Sequence, residues 1–533
     1  MKVLTLVFGL LAAAALLRTA TQSAGGQAKA SKGAQQTRMN PNETHLRLVA
    51  SLHGDWDGRL LPEQSALFDL RLLNEGSGAA EAYGLDQNKD TPVFAVFDGH
   101  GQALHQVTHR DMVERFVSVK GEPGPEKPVL TQIPPGKSKG TFVDLWTYMD
   151  PLPKGSYQFG ASHLIQPGSD AQLESNRVPF EIADASVSDA ALGYTNNRRN
   201  SSVLLWVAAP AGSGSARLLG RLSALDSHSR AMVSGCALGP ADPRSLVAIG
   251  GKPKEGTPTG EGWFAITHDD SVELVQHFEA HPQWRSGPVA LGIGHARPVP
   301  GFPDRRHALF LATGTKPGGG AALAGVSAVA KEGVKTKWVT PLLAEPALSA
   351  CLFGLSGAVK VAFGVYRSGS TRIWSIEVDE SGNVLVPQAA LHSSPNQLLA
   401  LIADQRPGQV SGFLVLESDP SQPDRPILTR LPVGGKEETV KLEAVPGWPH
   451  ADGKPLPAQR IHMETGWDGK PRIAFVTATG QYFAGLLDGS PLMQGAPGVK
   501  GNSIPIPLIA ALEGGVTYSG FTDRGYLVYF GGR

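Results

Sequence analysis

From about residue 190 onward, apolar residues fall in short runs punctuated by Gly, Pro, Asn and Asp, and the runs repeat. The clearest copy is 347–392: ALSACLFG, a short turn, VKVAFGVYRS, then TRIWSIEVDESGNVLV. One apolar run recurs as VLLWVAA at 203, LVAIGG at 246, ALFLATG at 308, VKVAFGVY at 359, SGFLVLES at 411, RIAFVTAT at 472 and VTYSGFTD at 516. Successive starts differ by 43, 62, 51, 52, 61 and 44, by subtraction of those positions. Each is preceded by a run of smaller residues: AALGYTN, MVSGCALG, VALGIGHA, LSACLFG, LLALIAD, RIHMETG and PLIAALE. Third and fourth runs follow in most copies, as in TRIWSIEVDE then NVLVPQAAL, and PILTRLPVG then TVKLEAV. The joints HDDS, ESGN and GGKEE have hairpin chemistry.

Four short strands repeated at this period predict blades. Small residues suit the strand nearest the axis, where blades converge. The pattern over Ala185–Arg533 resembles a seven-bladed β-propeller; counts of six or eight stay open, because the first two units are poorly delimited. The last unit is short of a fourth strand. Ring closure commonly mixes both ends of a propeller, so the missing piece is expected near Ala183–Val187, with a rigid junction to what precedes it.

Before the repeat, alternating runs read as about seven strands: LRLVASL, ALFDLRLLNEG, PVFAVFDGHG, ERFVSVKG, TFVDLWTYM, GSYQFGASHLI and NRVPFEIAD. That number of short strands with turn punctuation predicts a sandwich over 46–184. Within 133–182, IPPGKSKGTFVDLW, DPLPKGSYQFGAS and SNRVPFEI resemble the closing strands of immunoglobulin-like modules in secreted bacterial proteins. The resemblance implies a fold and a spacer or interaction role, not an activity. The chain is therefore expected to be all-β: an immunoglobulin-like β-sandwich followed by a propeller.

Lys2 precedes the apolar run Val3–Leu17, which ends at Arg18. It is too short to span a bilayer comfortably and suits an export signal, with 1–24 removed at Ala24; an uncleaved anchor is the alternative. Residues 25–45 are rich in Gly, Ala, Gln, Ser and Lys and read as a disordered linker. Export to the periplasm or beyond follows.

Charge narrows the partners. Among 533 residues, Lys+Arg and Asp+Glu both number 48. No global field draws the chain to nucleic acid or an anionic membrane, and membrane contact is expected only through an uncleaved signal segment. The two cysteines, Cys236 and Cys351, form neither a disulfide framework nor a C-x-x-C. Both fall on first strands of non-neighbouring units, so two free buried thiols are expected.

Catalytic signatures are missing: no G-x-S-x-G elbow, H-E-x-x-H or P-loop occurs. GSGSARLLGR lacks the lysine a phosphate loop needs. His105 and His109 would share a face if Gln102–Arg115 were a helix, but a connection between strands is the simpler reading of His100, His105, His109 and Asp111. HGDWDGR carries a fragment of a calcium loop without its distal glutamate, and reads as a turn. Trp263, Trp284, Trp374, Trp448 and Trp467 read as blade core rather than as a glycan platform.

One constellation appears only when the first strands are aligned. The residue just past each small apolar core is Asn196, His295, Ser356, Asp404 or Glu513. First strands run in one direction, so these side chains are expected at one mouth of the channel. Carboxylates and an imidazole there could hold a divalent cation such as calcium or act as acid and base, as in lactonase-like propeller hydrolases. Turns after strands favour the same residue types for backbone reasons alone. The weight of the missing motifs favours a non-catalytic binding protein for protein or carbohydrate, with the propeller hydrolase as the alternative.

Overall fold

A computed structural model of the chain describes residues 45–531, apart from internal stretches of which 109–129, 223–232, 249–261 and 449–460 are the longest. The segment 46–533 forms one compact unit.

Its first part is a sandwich. Period-2 alternation puts Phe68, Leu70 and Leu72 of Leu67–Asn74 on a single face. That strand pairs with Leu46–Leu52 and Ser138–Asp144 in an antiparallel three-stranded sheet. The facing sheet runs Arg59–Leu60, Val178–Ile182, Gly155–Leu164, Val93–Asp98 and Ala103–Val107. Both sheets share one core, in which the Phe68 and Phe159 rings stack at 4.0 Å. The run TFVDLWTYM, expected as one strand, breaks at Asp144. That carboxylate accepts the Trp146 amide and the Ser65 hydroxyl, and so caps a single helical turn, Leu145–Tyr148. No helix covers 102–107, because Ala103–Val107 is a strand and leaves His105 exposed. His109, Asp111 and the run ERFVSVKG lie outside the described residues.

The second part is a seven-bladed propeller, one sheet per blade. From the inner strand outward, blade one is Ala185–Tyr194, Ser202–Pro210, Arg217–Leu222 and Val233–Ala237. Blade two is Ser245–Ala248, Gly262–His268, Ser271–Phe278 and His281–Arg285. Blade three is Gly294–Pro298, Leu309–Thr315, Ala321–Val329 and Gly333–Pro341. Blade four is Ser349–Leu355, Ala358–Arg367, Ser370–Asp379 and Val384–Ser394. Blade five is Gln397–Arg406, Gln409–Asp419, Gln422–Pro432 and Glu438–Lys441. Blade six is Ile461–Thr465, Pro471–Val476, Tyr482–Leu486 and Met493–Gly495, and blade seven is Ile506–Leu512, Gly515–Phe521 and Leu527–Gly531.

The expected frame of the second unit is off by one strand. VSGCA, expected as an inner strand, is the outer strand of blade one, and Ser245–Ala248 opens blade two. Small residues alone did not mark the axis, and the basic strand Arg217–Leu222 hid the third strand of blade one. Cys236 therefore sits on an outer strand, while Cys351 lies on the inner strand of blade four, free and buried.

Several hairpins close with one recurring device. At Asp98, Asp379, Thr477 and Thr522, residue i exchanges backbone bonds with i+4 and i+3, while its side chain accepts the amide of i+4. Position i+3 is always glycine, with φ of 80° to 86° at Gly101, Gly382, Gly480 and Gly525.

The ring closes without a fourth strand in blade seven among the described residues. Ala185–Val187, where that strand was expected, begins the inner strand of blade one. Closure instead uses the turn Leu60–Gln64, which reaches over from the sandwich. Leu61 enters the apolar cluster between blades one and seven, beside Trp206, Leu508, Phe521 and Leu527. The Leu527 amide donates to Glu63 Oε1 at 3.2 Å, so a carboxylate caps the outer edge that a further strand would have paired. Arg217, from blade one, donates through Nη1 to Arg59 O at 2.6 Å and to Gln64 Oε1 at 2.9 Å. Ala185 N donates to Arg524 O at 3.0 Å, fastening the connection from the other side. Arg217→Met keeps the apolar stem and removes both donors from a buried site. The expected cost is about 2 kcal/mol in urea denaturation, with native circular dichroism unchanged.

Candidate functional site

Of the five residues expected at the channel mouth, Asn196, Ser356 and Glu513 lie outside the described residues. His295 is placed on the inner strand of blade three, with its side chain outside the description. Asp404 is described in full. It lies on the inner strand of blade five with no exposed surface, and Oδ2 stands 3.0 Å from Arg430 Nε on the third strand of the same blade. Arg430 continues outward to Glu438 Oε2 at 3.9 Å. Gly412 faces Asp404 in the ladder; a Cβ there would lie 2.0 Å from the Leu431 carbonyl oxygen, so only glycine fits beside the pair. Among the described residues, no three His, Cys, Asp or Glu side chains come together in a way that would hold a metal ion.

Inner strands also join one blade to the next. Asp189, at a bulge in blade one, accepts the Leu246 amide of blade two at 2.7 Å and the Ala190 amide at 2.8 Å. Withdrawal of the carboxylate from water raises its pKa to about 6, against the pull of those two amides. His462, on the inner strand of blade six, accepts the Ile509 amide of blade seven on Nδ1 at 3.0 Å. Loss of hydration at this seam lowers its pKa to about 4, so it is neutral over the physiological range.

A different surface emerges at the outer rim of blades four and five. Among the described residues, the outer strand Val384–Ser394 pairs on one side only, with Ser370–Asp379. Propeller blades diverge with radius, so an outer strand can meet solvent on both faces along part of its length. Val384, Leu385 and Val386 are therefore exposed together, at 45%, 51% and 43%, although they follow each other without alternation. Leu391 on the same strand is exposed too, as are Val433 and Val440 on blade five, while the turn that leads into the strand meets blade three, where Thr340 Oγ1 donates to Gly382 O at 3.1 Å. The inward residue of this strand is His392. Its Nδ1 lies 3.1 Å from Glu437 Oε2, and its Nε2 lies 3.3 Å from both oxygens of Glu417. The Ser394 hydroxyl also donates to Glu417. An apolar run lacking alternation, at the fourth position of a unit, is the sequence signal for this rim.

The remaining expectations resolve locally. Trp448 is buried against Phe475 at 4.1 Å, and Trp374 packs between blades three and four. Trp263 and Trp284 have side chains outside the description, and Trp467, Asp55 and Asp57 lie outside the described residues.

No family model matches the chain, and no curated protein matches it. Among solved structures, it is similar to Sqt1 from Chaetomium thermophilum at 9% identity, covering 65% of this chain and 95% of that one, with a TM-score of 0.38. The fucose-specific lectin from Aleuria aurantia aligns at 12% identity over 58% of this chain and 95% of its own, with a TM-score of 0.33. A chain of the mitotic checkpoint complex aligns at 12% identity over 69% and 95%, with a TM-score of 0.35. Likenesses this loose carry no argument about the chain, whose architecture rests on its own seven sheets.

Proposed function

We propose that this is an exported, non-catalytic recognition protein that takes up an extended apolar segment of a partner protein on the outer rim of blades four and five. The observation that carries the reading is the strand Val384–Ser394. It holds no Lys, Arg, Asp or Glu, exposes four large aliphatic side chains, and pairs in the ladder along one edge only among the described residues. Free edges recognise extended peptides through main-chain hydrogen bonds, with alternate side chains giving selectivity. The exposed large side chains of Val384–Ser394 are aliphatic, which favours a peptide; the aromatic ring at this end of the strand, Trp338, is half-buried against Gly382. Export is supported by the charged, apolar and small-residue order of 2–24. An immunoglobulin-like character of the sandwich is supported by its tyrosine corner, where the Tyr157 hydroxyl donates to Pro153 O at 2.8 Å.

The test is selection of displayed random peptides against the full chain. Uncharged, apolar, β-prone peptides are expected. Leu385→Lys is expected to weaken them at least about tenfold, the effect of losing roughly 1.4 kcal/mol of burial. Selected peptides that bind Leu385→Lys equally well would sink the reading. A glycan array that binds the chain where peptides do not would turn it to carbohydrate.

A further inference from the structure

The joint between blades four and five is held by charge at its outer end. His392 comes from the outer strand of blade four, and both carboxylates that meet it come from blade five. Glu417 lies on the second strand and is 1% exposed; Glu437 closes the hairpin that leads into Glu438–Lys441 and is half open to water. On its own blade, His392 faces apolar Ile373, and Ser394 shares Glu417 with it. Glu417 and Glu437 are thus the charged groups that bear on the ring.

A neutral imidazole has one N–H and one lone pair. It can donate to Glu417 or to Glu437, but not to both. Only the imidazolium satisfies the two contacts at 3.1 and 3.3 Å. We infer that His392 is a proton-operated clamp: charged, it fastens the outer hairpin of blade five to the outer strand of blade four, and on losing its proton to solvent it releases Glu437. The proton kept is the one on Nε2. Glu417 is buried and would be costly to leave without a donor, whereas Glu437 can turn to water. The hairpin freed in this way carries Val433 and Val440, two exposed apolar residues of blade five.

The pH window follows from the same contacts. Burial pulls the His392 pKa down; hydrogen bonds and charge from Glu417, then Glu437, more than reverse this and raise it from 6.5 to about 8. A group raised on folding stabilises fully below its unfolded value and loses that effect as pH rises through its folded value. The clamp is closed below about pH 6.5 and open well above 8. A rise of about 1.5 units caps the change in closure at roughly 30-fold.

The clamp does not depend on what binds the rim, and its test reads the joint alone. Amide hydrogen-exchange protection factors over 433–441 are measured at pH 6.5 and 9, corrected for intrinsic rates. In the unaltered chain they are expected to fall about tenfold. His392→Gln is expected to show low protection at both pH values. Glu437→Gln is expected to show high protection at both, because its side-chain carbonyl accepts from the imidazolium and its amide donates to the neutral ring. Glu437 is a surface residue, so this variant folds even if His392→Gln does not. Protection that is unchanged with pH in the unaltered chain, or a Glu437→Gln profile that follows it, overturns the clamp.

Discussion

Replacing Arg430 by methionine is expected to destabilise the folded chain by about 3–5 kcal/mol, the usual cost of stranding one partner of a buried ion pair. Asp404 has no exposed surface and its Oδ2 stands 3.0 Å from the guanidinium, so removing Arg430 strips a carboxylate of its cation in a place water does not reach. The side chain of Arg430 is only partly exposed, and its outer contact, Glu438, lies in solvent and contributes little by itself. The pair Arg430→Met and Asp404→Leu, made together, is expected to recover most of the loss, because no charge is left behind. Chemical denaturation of the single and double variants measures both. A cost under about 1 kcal/mol for Arg430→Met would mean that the carboxylate is held by something other than this guanidinium. The reading of Asp404 as a channel-mouth ligand would then gain what it now lacks.

The architecture was legible because a blade cannot hide its punctuation. Buried second strands such as VLLWVAA and VKVAFGVY have to be apolar on both faces, between neighbouring blades, and hairpin joints need their Asp, Thr and Gly at fixed places. The frame failed at blade two for a physical reason. Inner and outer strands are both short and can both be small, so VSGCA looks like a strand near the axis when it lies far from it. The closure was illegible because it is made by a turn of another part of the chain. Nothing in the sequence of Leu60–Gln64 announces that Leu61 will sit between blades one and seven, or that Glu63 will adopt φ of 64° to cap Leu527. Side-chain direction was the other gap. Position along an inner strand put Asp404 at a mouth, but the glycine opposite it and the arginine two strands out decide where its charge goes. At the rim the reverse held: NVLVPQAAL was read as a fourth strand, and only the divergence of the blades makes its three leading aliphatic residues a surface.

Asp189 and His462 are expected to give the fold two opposed pH dependences that largely mask each other. The Asp189 pKa is raised from 3.8 to about 6 on folding, so its contribution is complete below pH 4 and is lost as pH rises through 6. The His462 pKa is lowered from 6.5 to about 4, so its contribution is complete above pH 6.5 and is lost as pH falls through 4. Each shift is worth on the order of 3 kcal/mol across its window, at about 1.4 kcal/mol per unit. Between pH 4 and 6 the two slopes run in opposite directions and nearly cancel. Removing either one should uncover the other. Stability of His462→Gln, relative to the unaltered chain, is expected to fall as pH rises from 4 to 6, and that of Asp189→Asn to climb over the same range. The offset of each variant is a separate matter. In Asp189→Asn, for instance, the new side-chain amide would point its NH2 toward either Leu246 N or Ala190 N, and that cost does not vary with pH. Difference curves from urea denaturation at half-unit steps therefore carry the result in their slope. Parallel curves for variant and unaltered chain would mean that these inner-strand ties do not titrate with the fold. Opposed slopes would mean that the ring is fastened at one seam by a carboxylate that prefers acid and at another by an imidazole that does not tolerate it. The propeller would then hold its stability nearly level over the acid range through the balance of the two.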